Sequence, residues 1–261
     1  MSNVMDGRCV LVTGARNRWS IGWHAAVSLH REGASLAFSV YGEREEGGVR
    51  KLLEEAGISA PIFRCNATDD DQVRELFARA GEHFGGKLHG IVHSMAFANR
   101  DELAGEYAAT SREGFDLALE SSAYTLVTLC RAGRPLMNAA GGGSVVTLTY
   151  IGAERVVPNY NVMGVAKAAL EASVRYLAQD LGKENIRVNA VSAGPIKTLA
   201  AAGITGFDAM RKQVAEVSPL KRAVEADEVG DTILFLLCPW SRGMTGETIY
   251  VDGGYHIVGM V

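Results

Sequence analysis

Residues 8–22 read RCVLVTGARNRWSIG, and this stretch indicates the fold class. The β-branched and aliphatic run at 8–13 predicts a strand, and a helical period begins at Ser20 and continues to Glu32. Gly14 follows the strand directly, and Gly22 lies in the first turn of the predicted helix. A strand that enters a helix through a glycine turn is typical of α/β proteins with a doubly wound parallel sheet.

The alternation of strand and helix continues to the end of the chain. Further strands are predicted at 36–40, 61–64, 90–93, 145–149, 186–191 and 248–251, and helices at 43–56, 69–84, 112–139, 160–181 and 227–238. This order favours a parallel sheet of about seven strands with helices on both faces. No linker or change in composition divides residues 1–261, so we expect a single domain. Residues 192–212 show no clear period, which suggests a loop or lid.

The composition argues against several classes of protein. The chain has 261 residues and a formal net charge of −4, without a block rich in Lys and Arg, so a nucleic-acid partner is not expected. The longest apolar run, 233–238, is far shorter than the roughly 18 residues of a membrane span. The N-terminus shows no signal peptide, which predicts a cytoplasmic protein. The four cysteines are far apart and the six histidines lack ligand spacing, so we expect reduced thiols and no metal.

Residues 13–22 have features of a phosphate-binding turn. A dinucleotide pyrophosphate would meet the N–H groups of a helix N-terminus there. The strict G-x-G-x-x-G pattern is absent, because Ser20 takes the usual second glycine position and the loop is longer; a plain βα turn would also explain two glycines. Tyr41 lies at the tip of the next strand, followed by Glu43 and Arg44. Glu43 would repel a 2′-phosphate and Arg44 would attract it, which leaves NADH and NADPH both open.

Residues 150–167, YIGAERVVPNYNVMGVAK, hold the candidate chemistry. Tyr160 and Lys167 are seven residues apart, so they lie on one helix face, about 10.5 Å apart along the axis. Their long side chains could converge on one ligand. A lysine in that place can lower the pKa of a phenol and hold ribose hydroxyls. An interfacial tyrosine and a solvated lysine on an ordinary amphipathic helix would have the same spacing.

Together with HSMAFA at 93–98, RVNAVSAGP at 187–195 and VDGG at 251–254, these segments resemble a short-chain dehydrogenase/reductase over essentially the whole chain. The chain is most similar to the bacterial enoyl-acyl-carrier-protein reductases of the NADH-dependent, triclosan-sensitive type. Ordinary members of the superfamily carry Tyr-x-x-x-Lys, whereas this chain has Met163 four residues before Lys167, and Tyr150 where a serine is usual. Enoyl reductases share this Tyr-x6-Lys arrangement. It withdraws the phenol by one turn, about 5.4 Å, as suits a hydride delivered two carbons farther from the oxygen.

The resemblance implies a Rossmann-like fold and reduction of trans-2-enoyl thioesters in type II fatty acid biosynthesis by NADH or NADPH. It implies catalytic roles for Tyr150, Tyr160 and Lys167, with Tyr160 stabilising the enolate. The implied cofactor-binding residues are Gly14, Ser20, Ile21, Tyr41, Asn66, Ala67, Met95, Lys167, Ile196, Lys197, Thr198, Leu199 and Ala200. The implied substrate-binding residues are Ala98, Tyr150, Tyr160, Met163, Ile204 and Phe207, with Met210 also over the acyl chain and a substrate-binding loop at about 192–216.

Two residues differ from the pattern of the family that the chain resembles, and the same resemblance implies a partner protein. Asn66 stands where the family usually has Asp, which predicts modestly weaker adenine binding at most, and Ala96 replaces a common glycine, which leaves inhibitor sensitivity open. A homotetramer and an acidic acyl carrier protein are implied. A basic rim for that partner could be formed by Lys197, Arg211, Lys212, Lys221 and Arg222, although surface charge for solubility explains these residues equally well.

Two other functions remain open from the sequence. The first is a carbonyl-reducing member of the superfamily, against which Met163 argues. The second is a dinucleotide-sensing regulator that keeps the fold without activity, which would be expected to lose Tyr160 or Lys167.

Overall fold

Seven parallel strands form one sheet in the order β3-β2-β1-β4-β5-β6-β7, in a computed structural model that describes residues 3–198 and 206–259. The strands are β1 (Cys9–Thr13), β2 (Ser35–Val40), β3 (Ile62–Arg64), β4 (Gly90–His93), β5 (Gly143–Thr149), β6 (Ile186–Ala193) and β7 (Thr248–Val251). The strand order reverses between β1 and β4. Ligands of such sheets bind at the carboxyl edge beside this reversal. The predicted doubly wound α/β fold is confirmed.

Helices cover both faces of the sheet. They are α1 (Ile21–Arg31), α2 (Glu43–Ala56), α3 (Asp70–His83), α4 (Arg112–Leu119), α5 (Thr125–Ala139), α6 (Asn161–Leu181), α7 (Phe207–Val217) and α8 (Ala226–Leu237). Alternation within β1 divides the core, because Val10 and Val12 pack with α1, α2 and α8, whereas Leu11 packs with α3, α5 and α6. The sheet that carries the candidate site at its carboxyl edge is thus packed between two apolar clusters, one on each face.

The helix predicted at 112–139 is not continuous. A π-helical turn, Glu120–Tyr124, separates α4 from α5. Within this turn the Ser122 hydroxyl accepts a hydrogen bond from Phe97 N (3.1 Å) and donates one to Phe97 O (3.2 Å). The turn therefore ties the helix to the segment after β4. Local π turns of this kind occur frequently beside functional sites.

The prediction of an irregular stretch at 192–212 is wrong at both ends. Ser192 and Ala193 extend β6, and α7 begins at Phe207. Phe207 and Val214 are the buried residues of α7, and they lie seven positions apart on one helix face. Two apolar positions in an otherwise polar helix give only a weak helical periodicity in the sequence, so the helix was not predicted. Of the substrate-binding loop expected at about 192–216, residues 192–193 thus belong to a strand and residues 207–216 to a helix.

Across the described parts of the chain, every helix is too short or too polar to cross a membrane. The four cysteines are free thiols; Cys65, Cys130 and Cys238 are buried and Cys9 is half-buried. Burial raises the pKa of Cys130 to about 12, so this thiol stays protonated at neutral pH.

Candidate active site

The turn after β1 is pressed against the chain that leaves β4. Gly14 has a φ of +75°, and a Cβ built there would lie 1.8 Å from the carbonyl oxygen of Ser94. A Cβ on Gly22 would lie 3.1 Å from the Cβ of Ser94. Both glycines are therefore needed for close packing at the point where the strand order reverses.

The N-terminus of α1 faces the same edge. α1 begins at Ile21, and the N–H groups of a first helical turn have no acceptor within the helix. The Ser20 hydroxyl accepts hydrogen bonds from Arg16 N and Asn17 N, both at 3.1 Å, which closes the loop without covering the helix end. This arrangement can bind an anionic group.

The carboxyl ends of β2 and β3 place the predicted adenine side at the same edge. Tyr41 follows β2 and is 73% exposed. Asn66 and Ala67 follow β3 and are half-buried. The Asn66 Oδ1 accepts from Thr68 N (3.2 Å) and Thr68 Oγ1 (2.9 Å). The side-chain oxygen of Asn66 thus stabilises its own turn.

Tyr150 and Tyr160 lie at the centre of the predicted substrate side. Tyr150 follows β5 directly, and Tyr160 caps the N-terminus of α6. Their ring centroids are 5.1 Å apart in an edge-to-face arrangement. Gly152 makes room for this pair, since a Cβ there would lie 2.5 Å from Tyr160 Cδ1.

Tyr160 belongs to a small apolar cluster. Its other buried members are Ala118, Val162, Met163 and Ala166, and Ala98, Leu103, Phe115, Leu119, Tyr150 and Val157 pack around them. Met163, which occupies the place of the usual superfamily tyrosine, is thus buried in the same apolar cluster as Tyr160. The structure brings together four of the predicted substrate residues, namely Ala98, Tyr150, Tyr160 and Met163.

The backbone on both sides of Tyr160 is in the left-handed region, with φ of 61° at Asn159 and 33° at Asn161. Asparagine tolerates this conformation better than most residues, yet it costs energy. Asn161 Nδ2 donates to Ala104 O (3.3 Å) and Gly105 O (3.2 Å). The strained turn fixes the position at which the Tyr160 ring leaves the chain.

Lys167 is buried, and its Nζ donates to Leu148 O at 2.8 Å. Burial lowers the pKa of Lys167 to about 8, although Glu171 opposes the change. Burial raises the pKa of Tyr160 above its ordinary value, with smaller contributions from Tyr150 and Glu171. The sequence-based expectation that the lysine lowers the phenol pKa is therefore wrong for this structure, because desolvation dominates. A phenol with a raised pKa stays protonated at neutral pH and is therefore able to donate a hydrogen bond.

Helix α7 closes one side of the site. The Tyr150 hydroxyl donates to Met210 Sδ at 3.7 Å, and Phe207 is buried. Met95 is partly buried against the core, and Ile196 is buried after β6. Lys197 is exposed and Thr198 is half-buried. Leu199, Ala200 and Ile204 lie outside the described residues.

Sequence reasoning did not single out His93 or Glu171. The buried imidazole of His93 bonds through Nδ1 to Thr147 Oγ1 (2.7 Å) and through Nε2 to Thr125 Oγ1 (2.9 Å). Burial lowers the pKa of His93 to about 3, and Lys167 adds to the effect. The buried Glu171 accepts from Thr149 Oγ1 at 2.6 Å. The sequence signal that could have identified them is a polar residue among apolar ones, His93 within a strand and Glu171 on the apolar face of a helix.

The predicted basic rim carries mixed charge. Arg211 pairs with Glu225 (3.2 Å), Arg222 with Glu228 (2.6 Å) and Lys212 with Glu216 (3.9 Å). Lys221 Nζ donates to Glu216 O at 3.0 Å. The local carboxylates thus offset much of the positive charge expected from the sequence.

Comparison with known proteins gives consistent matches. The model of a family described as enoyl-(acyl carrier protein) reductase matches residues 14–256. The NADH enoyl-acyl-carrier-protein reductase FabI of Bacillus subtilis is 50% identical over 258 residues, which cover 98% of this chain and 99% of the relative. The Bacillus cereus enoyl-acyl-carrier-protein reductase, solved with NADP+ and an indole naphthyridinone, superposes with a TM-score of 0.95 at 47% identity over 100% of both chains. The Anaplasma phagocytophilum reductase, solved with NAD, gives a TM-score of 0.94 at 42% identity over 100% of this chain and 98% of that one.

Proposed function

Because the chain belongs to the enoyl-acyl-carrier-protein reductase family, we propose that it reduces trans-2-enoyl thioesters with NADH or NADPH in type II fatty acid biosynthesis. One observation carries the proposal for this site. Buried Tyr160 and half-buried Tyr150 form a pair at the carboxyl edge of the sheet, with Lys167 about two turns along α6 from Tyr160 and Met163 where a carbonyl reductase has its tyrosine.

The residues of the turn fit a dinucleotide. Gly14 and Gly22 let the backbone pass close to Ser94, and the first turn of α1 offers N–H groups to a pyrophosphate. Gly14, Ser20 and Ile21 would hold the pyrophosphate, and Asn66 and Ala67 the adenine. Around the rest of the cofactor we assign Tyr41, Met95, Lys167, Ile196, Lys197, Thr198, Leu199 and Ala200. A bound reduced nicotinamide would supply a hydride to the β-carbon of the enoyl group.

In the proposed mechanism, Tyr160 donates a hydrogen bond to the thioester oxygen as negative charge builds there. The raised pKa of Tyr160 suits this role, since the phenol stays protonated while it donates. The enolate then takes a proton from solvent at its α-carbon, which completes the saturated thioester. Lys167 holds ribose hydroxyls and adds positive potential. Tyr150, fixed between Tyr160 and Met210, lines the acyl end of the site together with Ala98 and Phe207. Ile204 completes the set of substrate residues that we assign.

Tyr160→Phe tests the central assignment. Loss of one oxyanion donor is expected to lower kcat on a crotonyl thioester by about 10²–10³-fold, while NADH affinity changes less than about twofold. Tyr176→Phe is the matched control, because Tyr176 lies on the same helix and is 76% exposed. Turnover is measured as loss of reduced-nicotinamide absorbance, run separately with NADH and NADPH. Unchanged turnover in Tyr160→Phe would remove Tyr160 from the mechanism.

We propose an enoyl chain carried on an acidic acyl carrier protein as the substrate, and a cytoplasmic homotetramer as the working form. The relatives' names support the carrier-bound substrate. Lys197 and the mixed-charge rim near α7 are the assigned docking surface. Light scattering of the purified protein gives the oligomeric state, and cell fractionation gives the compartment.

A further inference from the structure

Helix α6 buries a basic and an acidic side chain on one face. Lys167 and Glu171 are one turn apart, with exposures of only 6% and 8%. Lysine and glutamate are almost never this deeply buried unless each has a partner. We therefore expect the buried carboxylate of Glu171, like the buried ammonium of Lys167, to have a specific role.

Both side chains are attached to the end of β5. Lys167 Nζ donates to Leu148 O (2.8 Å), and Glu171 Oε1 accepts from Thr149 Oγ1 (2.6 Å). Leu148 and Thr149 directly precede Tyr150. The two bonds thus fix α6 against the strand end from which the substrate-side tyrosine emerges.

The charged and titratable groups around this pair come from several elements. His93 on β4 is neutral, because burial lowers its pKa to about 3. The Tyr150 and Tyr160 phenols are neutral, because burial raises the pKa of both. Glu154 after β5 and Arg175 on α6 act on Glu171 with opposite signs. Tyr250 on β7 donates to Glu154, and burial raises the pKa of its phenol, with Glu154 and Glu171 adding to the rise, so this group is neutral as well.

Within this setting the carboxylate of Glu171 and the ammonium of Lys167 support each other. Burial raises the pKa of Glu171, and the Thr149 hydrogen bond opposes that rise. Burial lowers the pKa of Lys167, and Glu171 opposes that fall. The Thr149 bond therefore helps the carboxylate keep its charge, and this charge helps the lysine keep its proton.

We propose that Glu171, held in place by Thr149, is a positioning residue that keeps Lys167 protonated and seated beside the Tyr150–Tyr160 pair. The inference rests on the proposed function, in which Lys167 holds the nicotinamide ribose. Glu171 acts through the lysine and is not assigned any contact with substrate or cofactor.

Glu171→Gln removes the charge and preserves the size of the side chain. The dissociation constant of NADH is measured by nicotinamide fluorescence across the range from acid to alkaline pH. Lys167 has a lowered pKa, so its charge is complete at acid pH and is lost as the pH rises through that value, near 8. Removing a neighbouring opposite charge shifts such a titration down by about one unit, so NADH affinity should fall about tenfold at alkaline pH and less than about twofold at acid pH.

The matched control is Asp180→Asn, which changes the net charge equally on an exposed position of the same helix. In this control, the fall of NADH affinity at alkaline pH, called the alkaline limb, should occur at the same pH as in the wild-type protein. A second readout needs no cofactor: the ¹³Cε resonance of Lys167, assigned with Lys167→Arg, should titrate about one pH unit lower in Glu171→Gln.

Thr149→Val and Thr149→Ser keep the test decisive if Glu171→Gln does not fold. The valine removes the donor, so the alkaline limb should move towards that of Glu171→Gln. The serine keeps a hydroxyl and should restore the wild-type limb. Rescue by serine is not expected if the position only fills space.

Three results would overturn the inference. The first is a loss of NADH affinity by the same factor at every pH in Glu171→Gln, the second is identical behaviour of the valine and serine variants, and the third is NADH affinity in Glu171→Gln that matches the wild-type protein at alkaline pH. Failure of the proposed function looks different, because the wild-type protein would then not oxidise NADH in the presence of an enoyl thioester. Wild-type turnover with an unshifted alkaline limb in Glu171→Gln contradicts only the role of Glu171.

Discussion

Gly14→Ala tests the close approach between the β1 turn and the chain after β4. A Cβ at position 14 would lie 1.8 Å from Ser94 O and 2.5 Å from Ser94 C, and backbone atoms cannot rotate out of the way. The φ of +75° adds a conformational cost of about 1–2 kcal/mol, and forced displacement of a packed neighbour adds about 1–3 kcal/mol. We therefore expect the free energy of unfolding to fall by about 2–5 kcal/mol.

Gly57→Ala separates the two contributions. Gly57 ends α2 with a φ of +66°, and a Cβ at this position would have no heavy atom within 4 Å, so its replacement should cost only the conformational part, about 1–2 kcal/mol. Urea unfolding followed by circular dichroism gives both values. NADH titration should show lost affinity in Gly14→Ala and wild-type affinity in Gly57→Ala. Equal destabilisation of the two variants would refute the packing argument, and retained NADH affinity in Gly14→Ala would refute its link to the cofactor.

Two other variants test the site from its two ends. Lys167→Ala should weaken NADH binding, because it removes the cation that we propose holds the ribose, and a calorimetric titration at wild-type affinity would contradict this role. Paired replacement of Lys221 and Arg222 by Glu should raise KM for carrier-bound substrate and leave KM for a small enoyl thioester unchanged. Because Arg222 already pairs with Glu228, the rise in KM should be modest, about two- to fivefold. An unchanged KM for the carrier-bound form would remove these residues from the docking surface.

The sheet was predictable because its strands are short apolar runs between glycine and helix signals. β4 and β7 begin and end where the sequence places them, and the other strands shift by one or two residues, as is usual at element ends. The break between α4 and α5 was not predictable, because a π turn keeps a nearly helical period and depends on the bond between Ser122 and Phe97. Helix α7 was missed because only Phe207 and Val214 mark its buried face.

The site residues were predictable to a different degree. Tyr160 and Lys167 are evident from their spacing and from the resemblance, and the structure places both in buried positions. The sequence contains no signal that Thr149 bonds to Glu171, since the contact joins a strand end to a helix 22 residues later. The ion pairs of Arg211 and Arg222 are equally hidden, and they weaken the argument from counted charges.

The pKa values of Tyr160 and Lys167 predict which of these two side chains changes charge near neutral pH. A phenol whose pKa is raised by burial stays protonated throughout the neutral range, so the role proposed for Tyr160 is that of a hydrogen-bond donor and not of a fixed charge. Lys167 is the group whose charge can change near neutral pH, since its pKa lies at about 8. An alkaline loss of activity should therefore follow the lysine, with cofactor affinity falling before the ability of Tyr160 to donate is affected. The opposite order, with turnover lost at alkaline pH while NADH stays bound, would mean that the phenol is the titrating group and that the site is less desolvated than its burial indicates.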